Sequence, residues 1–172
     1  MSSEPEAMVA DLVAAAGGKL VSRIRLQKIA YLLDKMGAES GFSFSYHHYG
    51  PYSRDLDSAI LDAEAFDKIE EGIARRVSDG APYSVFTSKF PAEEHPYSYL
   101  RDEKLREWVV TLAATNVTVL ELAATAHWLA KEERVPDWKA AIVQRKGAKT
   151  GGGRLEKATE LLKSLGLEPA AS

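Results

Sequence analysis

The hydrophobic period of this chain changes at Gly41, and that change restricts the fold more than any other feature. Before it, Leu26, Ile29, Leu33 and Met36 recur at spacings of 3, 4 and 3, which is one face of a helix. After it, Phe42, Phe44, Tyr46 and His48 alternate with Ser43, Ser45, His47 and Tyr49, the two-residue period of an extended segment. Tyr49-Gly50-Pro51-Tyr52-Ser53 then turns the chain: Gly50 permits an unusual φ, Pro51 fixes the next one, and Ser53 can cap a third helix carrying Leu56, Ile60 and Ala63. That helix is expected to extend, with a break, to Ile69. Two β-leaning runs, 72–77 and 83–88, flank Asp79-Gly80, a hairpin-turn signature.

The rest reads as helix. Ser3 and Glu6 resemble a capping box around Pro5, with Val9, Leu12 and Val13 as the apolar stripe and Gly17 and Gly18 as the stop. Ser22 caps the second helix, whose Arg25, Lys28 and Lys35 are expected to face water. A connector over 91–96 leads to a long helix marked by Leu100, Leu105, Trp108, Val109 and Leu112. Thr118 and Glu121 form a capping-box match that opens an alanine-rich helix containing Ala123, Ala124, Ala126 and Ala130. Pro136 begins a short helix with Trp138 and Ile142, a flexible break follows at Gly151-Gly152-Gly153, and Leu155, Ala158, Leu162 and Leu165 mark a last helix closed by Gly166. At 172 residues the chain suits one domain, and no linker divides it. The expected fold class is mainly α: a single helical domain over 1–172 with a small winged-helix-like β hairpin.

Composition excludes several function classes. There is no cysteine, so no disulfide scaffold, thiol nucleophile or cysteine-based zinc site. The acidic N-terminal segment lacks the apolar core of a secretory signal, and no apolar run approaches the ~20 residues of a membrane helix. A cytoplasmic protein without membrane contact is the expectation. The net charge of −3 offers no general attraction for nucleic acid.

The candidate chemical groups are sparse. His47 and His48 fall on opposite faces of an extended segment and cannot both reach one metal. His127 has no carboxylate at a spacing that would orient it, so it reads as a core histidine bonded to backbone. Lys149-Thr150-Gly151 lacks the spacing of a phosphate loop. No catalytic residue, metal site or cofactor site is expected, and therefore no enzyme. The order of helices and hairpin fits a winged helix with the third helix as reader, but 54–71 holds seven acids against Arg54 and Lys68, which argues against nucleic acid as partner. A basic cluster (Lys139, Arg145, Lys146, Lys149, Arg154, Lys157) reads as helix C-termini and solvated loop, because the aromatic interleaving of a single-strand binder is missing from it.

Two segments carry a family likeness: Leu26-Gln27-Lys28-Ile29-Ala30-Tyr31, and some twenty residues later Tyr49-Gly50-Pro51-Tyr52-Ser53. Together with Thr125-Ala126-His127 and Pro136-Asp137-Trp138, they resemble the Panacea domain family. These are SocA-like, phage- and plasmid-associated proteins, many of them antitoxins, with an uncharacterised bacterial branch that carries the same YGPYS. The resemblance covers 20–138, leaving 139–172 as a helical extension. It implies a mainly helical domain that neutralises a toxin by binding it directly or delivering it to a protease. The expected function is thus a protein-binding module with a protein partner, and the alternative is a winged-helix DNA-binding regulator. Tyr49, Tyr52 and Arg54 flank the turn and are the expected partner-binding residues, since aromatics and arginine dominate binding hot spots. Gly50, Pro51 and Ser53 are expected to build the turn itself.

Overall fold

A computed structural model describes residues 4–169. Ser3, the expected first cap, lies outside the described residues. Helix α1 (Pro5–Ala15) begins with Pro5 in its first turn, where a missing N–H costs nothing, and Glu4 occupies the cap position. Gly17 and Gly18, both at positive φ, turn the chain into β1 (Lys19–Val21), a three-residue strand that the sequence pattern did not disclose. Ser22 caps α2 (Arg23–Lys35), its side chain accepting from the Arg25 N–H at 3.2 Å.

Between α2 and the next helix stands a small hairpin, β2 (Ser45–His47) against β3 (Gly50–Tyr52), paired Ser45 to Tyr52 and His47 to Gly50. The alternating run from Phe42 is therefore strand only in its last part: Phe42 is buried and Phe44 packs against the core before any pairing begins. Ser53 caps α3 (Arg54–Ala65), accepting from the Leu56 N–H. Leu56, Ile60 and Ala63 are buried as their spacing requires. Helix α3 does not reach Ile69. Asp67 takes a positive φ, and Ile69 opens β4 (Ile69–Arg75), which pairs with β5 (Pro82–Ser88) across the Asp79-Gly80 turn.

The three-stranded sheet has the order β1-β5-β4, all antiparallel, with Leu20 opposite Phe86 and Gly72 opposite Val85. Elements α1, β1, α2, α3, β4 and β5 thus follow one another as in a winged helix, with β2–β3 inserted ahead of α3. The chain then runs through α4 (Glu103–Ala113), α5 (Val117–His127), α6 (Trp138–Lys146) and α7 (Arg154–Ser164). Leu100 lies ahead of α4 rather than in it. Asn116, not Thr118, caps α5, accepting from the N–H groups of Thr118 and Val119. A π turn, Trp128–Glu132, prolongs α5, and Asp137 caps α6.

The fold class expected from the sequence holds: among the described residues, seven α-helices, the three-stranded antiparallel sheet and the β2–β3 hairpin surround one hydrophobic core. Helix α5 is its axis. Every residue from Val119 to His127 is buried, because α2, α6, α7 and β3 all pack on it. Ala123, Ala124 and Ala126 allow those close approaches. Among the described residues no helix is long and apolar enough to cross a membrane.

Candidate functional site

The β2–β3 hairpin is held from below by polar side chains of α2. Gln27 Nε2 donates to the Ser53 carbonyl at 2.8 Å, and Gln27 Oε1 accepts from the Ser53 N–H at 2.8 Å. Lys28 Nζ donates to the Pro51 carbonyl at 2.7 Å. Lys28 was expected in water and is instead 1 % exposed. The reason is the second layer: the hairpin covers the side of α2 that periodicity alone leaves wet. Burial pulls the Lys28 ammonium down to about 7, with Glu121 opposing that shift.

Gly50 sits at φ +91° directly on Thr125 of α5, so a Cβ there would collide with Thr125 Oγ1. Two residues on, His127 Nδ1 shares a 2.8 Å hydrogen bond with the Tyr31 hydroxyl, and the Tyr31 ring meets Phe44 edge-on at 5.3 Å. His127 is a core histidine, as expected, but its partner is a side chain rather than backbone. Burial, with Lys35 next in weight, lowers its pKa to about 4, so it is neutral at pH 7. Three of the segments that carry the family likeness are therefore one packed unit: Gln27 and Lys28 grip the turn, Thr125 floors Gly50, and Tyr31 joins His127.

The outer surface of this unit is aromatic. Tyr49 is 49 % exposed at the hairpin tip, beside His47 and His48. Tyr52 is half-buried; its ring lies 4.6 Å from that of His47 and its hydroxyl donates to Asp57. Asp57 also receives Arg23 at 3.1 Å, and Arg23 forks onto Glu71 at 2.8 and 3.0 Å. The Arg23 guanidinium, with help from Ser84, holds the Glu71 carboxyl below its ordinary range. Arg54 is exposed on the first turn of α3. A pocket of about 140 Å³ opens between Ile24, His47, Tyr49 and Tyr52 over the Arg23–Asp57 pair. The structure thus places Tyr49 and Tyr52 around one depression, with Arg54 two residues beyond Tyr52. Gly50, Pro51 and Ser53 are buried beneath it as the turn.

A larger groove, about 860 Å³, runs along the other side of Tyr49. Its walls include Arg25, Arg75, Arg76, Tyr83 and Lys149. The basic cluster of the last third is not simply solvated loop. Lys146, whose side chain is only 4 % exposed, bonds the buried Glu121 at 3.1 Å and the His48 carbonyl at 2.8 Å. Lys149 reaches Glu121 at 3.2 Å and lies over the Tyr49 ring. Arg145 pairs with Glu133 and lies over Tyr46. Glu121 is accordingly no capping residue but the anion that ties α6 and the loop after it to α5. Sequence reasoning missed Gln27, Lys28, Thr125 and Glu121 as determinants of this surface. For the first three the signal was present in the quoted motifs; for Glu121 it was the excess of lysine and arginine over the single acid Glu156 across 139–157.

No family model matches the chain. Against curated proteins, it is similar to the DNA ADP-ribosyl glycohydrolase of Thermus aquaticus, with 27% identity over 127 residues, 70% of this chain and 34% of that protein. The chain spans about a third of the length of the curated relative it matches. The expectation that no enzyme is involved is corrected by this likeness, since the relative bears an enzyme's name. Local spacings of candidate catalytic residues carry no trace of such a likeness, which is spread over 127 residues.

Proposed function

We propose that this domain is a protein-binding module of the antitoxin type, which holds its partner on the surface around the β2–β3 hairpin. The observation that carries the reading is the site's construction. Exposed Tyr49 and half-exposed Tyr52 stand on a turn fixed by Gln27, Lys28 and Thr125, so they are presented with little conformational entropy left to lose. Rigid aromatics at a pocket rim, with an exposed arginine beside them, match the composition of binding hot spots.

The similar protein supports a choice of partner. A glycohydrolase that removes ADP-ribose from DNA presupposes an enzyme that attaches it. We infer that the partner is such a DNA-modifying ADP-ribosyltransferase, whose activity this domain blocks by direct contact.

The test mixes the chain with the DNA ADP-ribosyltransferase of the same genome and follows ADP-ribose transfer onto an oligonucleotide. Inhibition that completes at one chain per enzyme is the expected result. Arg54→Ala and Tyr49→Ala should each raise the half-inhibiting concentration thirtyfold or more, corresponding to ~2 kcal/mol of hot-spot energy, while the circular dichroism spectrum stays unchanged. Undiminished transfer in the presence of excess chain overturns the proposal. A parallel incubation with pre-modified oligonucleotide reads whether the chain also carries the relative's hydrolytic activity.

A further inference from the structure

Apart from Tyr49, the residues lining the groove beside it are not used by binding of a protein at the hairpin. Its floor and walls come from the N-terminal turns of α2 (Ser22, Arg25) and α5 (Val117, Thr118), and its far wall from the tip of the β4–β5 hairpin, where Arg75, Arg76 and Val77 stand exposed. Both helices present the positive ends of their dipoles to it. Arg25 donates to the carbonyls of Val21 and Thr115, and Arg75 to the carbonyl of Gly80, so these bonds set neither guanidinium against a carboxylate. The Arg25 Nε is buried and has no hydrogen-bond partner. Arg76 is paired with Asp79 at the surface, an exposed contact that a stronger anion can displace. Lys149 shares Glu121 with Lys146, which leaves that trio one positive charge in excess.

Two tyrosines complete the surface. Tyr49 and Tyr83 line the same groove although 34 positions separate them in the chain. Charged side chains that follow a backbone, combined with aromatic faces on which bases stack, are what binding of an unpaired strand requires. The interleaving that was missing from the linear basic cluster is assembled in space instead. The groove's volume lies within the roughly 300–1,000 Å³ of ordinary ligand sites. A duplex is a poorer fit. Helix α3, the reader position of a winged helix, carries four acids against one arginine.

We propose that the groove between the β4–β5 hairpin tip and the N-termini of α2 and α5 binds single-stranded nucleic acid, with Arg25, Arg75, Arg76 and Lys149 on the phosphates and Tyr49 and Tyr83 against the bases. This goes beyond the protein-binding reading and stands without it.

The test is fluorescence anisotropy of labelled dT20, rU20 and a 20-base-pair duplex against the full chain across a salt series. Single strands should bind at least tenfold more tightly than duplex, and the ratio of dT20 to rU20 identifies DNA or RNA as the preferred source of the same phosphodiester chemistry. Arg75→Ala/Arg76→Ala, at exposed positions, should weaken binding at least tenfold and flatten the log–log salt slope by about 1.4, the value for two phosphates on a single strand. Tyr83→Ala should weaken binding at low and high salt alike. The proposal is overturned by an absence of binding at low salt, by equal or tighter binding of duplex, or by an equal loss in the distant control Arg101→Ala/Lys104→Ala. Displacement of dT20 by polyglutamate at equal charge concentration also overturns it, since the groove would then be a site for acidic protein.

Discussion

Gln27 closes a two-bond ring on the backbone of Ser53, donating to its carbonyl and accepting from its N–H at 2.8 Å each. A side-chain amide here does what a neighbouring strand would do, and it fixes the exit of the hairpin at the residue that caps α3. Gln27→Ala leaves the buried Ser53 N–H without a partner, at roughly 1–3 kcal/mol, and leaves the Ser53 carbonyl with only the Asp57 N–H at 3.4 Å. The expected loss is about 1–3 kcal/mol in urea unfolding. Gln27→Glu should cost as much, because a carboxylate accepts but cannot donate to the carbonyl.

Gly50 is constrained twice, by φ +91° and by Thr125 beneath it. Gly50→Ala should lower stability by about 2–4 kcal/mol, part strain and part overlap. Thr125→Ala removes the hydroxyl, which is buried and without a hydrogen-bond partner, and should cost little alone. Combined with Gly50→Ala it should recover the overlap share and leave the strain of roughly 1–2 kcal/mol. Strict additivity of the two changes, measured by thermal unfolding of all four proteins, contradicts this arrangement.

Some of this was legible in the chain and some was not, and the division follows the range of the forces. Ser22 and Ser53 announce their helices because a cap acts within three residues. The Asp79-Gly80 hairpin is likewise a local signal. Strand β1 is invisible alone, since three residues set no period and Leu20 becomes a strand residue only by pairing with Phe86. Lys28 was misplaced because helical spacing reveals which side of α2 meets the first layer, while the covering hairpin is itself set by the Pro51 carbonyl that Lys28 binds. The capping-box pattern at Thr118 lost to Asn116, two residues earlier, whose side chain already serves the Thr118 and Val119 N–H groups. At the site, Tyr49, Tyr52 and Arg54 were legible as neighbours of a turn. The groove was not, because it joins positions 25, 49, 75, 83 and 149.

His127 gives the fold a dependence on pH. Its folded pKa lies at about 4, below the ordinary 6.5, because burial disfavours the imidazolium. Between these values the unfolded chain binds more protons than the folded one, so stability rises with pH. The contribution is complete above pH 6.5 and is lost as pH falls toward 4, amounting to about 3 kcal/mol at most. Chemical denaturation of the wild type and His127→Gln at pH 4.5 and 7.5 isolates it. The wild type should lose clearly more stability than the variant on acidification, and parallel losses contradict the assignment.

Glu121 offers the sharpest electrostatic test. It is 4 % exposed, receives Lys146 at 3.1 Å and Lys149 at 3.2 Å, and acts on Lys28 from the same side. Glu121→Gln keeps the shape but removes the one carboxylate this cluster shares. Lys149 is 44 % exposed in its side chain and can turn to water, whereas Lys146 and Lys28 cannot. Breaking a buried pair from one end leaves an uncompensated charge, so the substitution should cost about 3–5 kcal/mol. Adding Lys146→Met should return a large part of that loss, because it removes the stranded ammonium along with its desolvation penalty. If the double variant is less stable than Glu121→Gln alone, Lys146 owes its place to the His48 carbonyl at 2.8 Å rather than to Glu121.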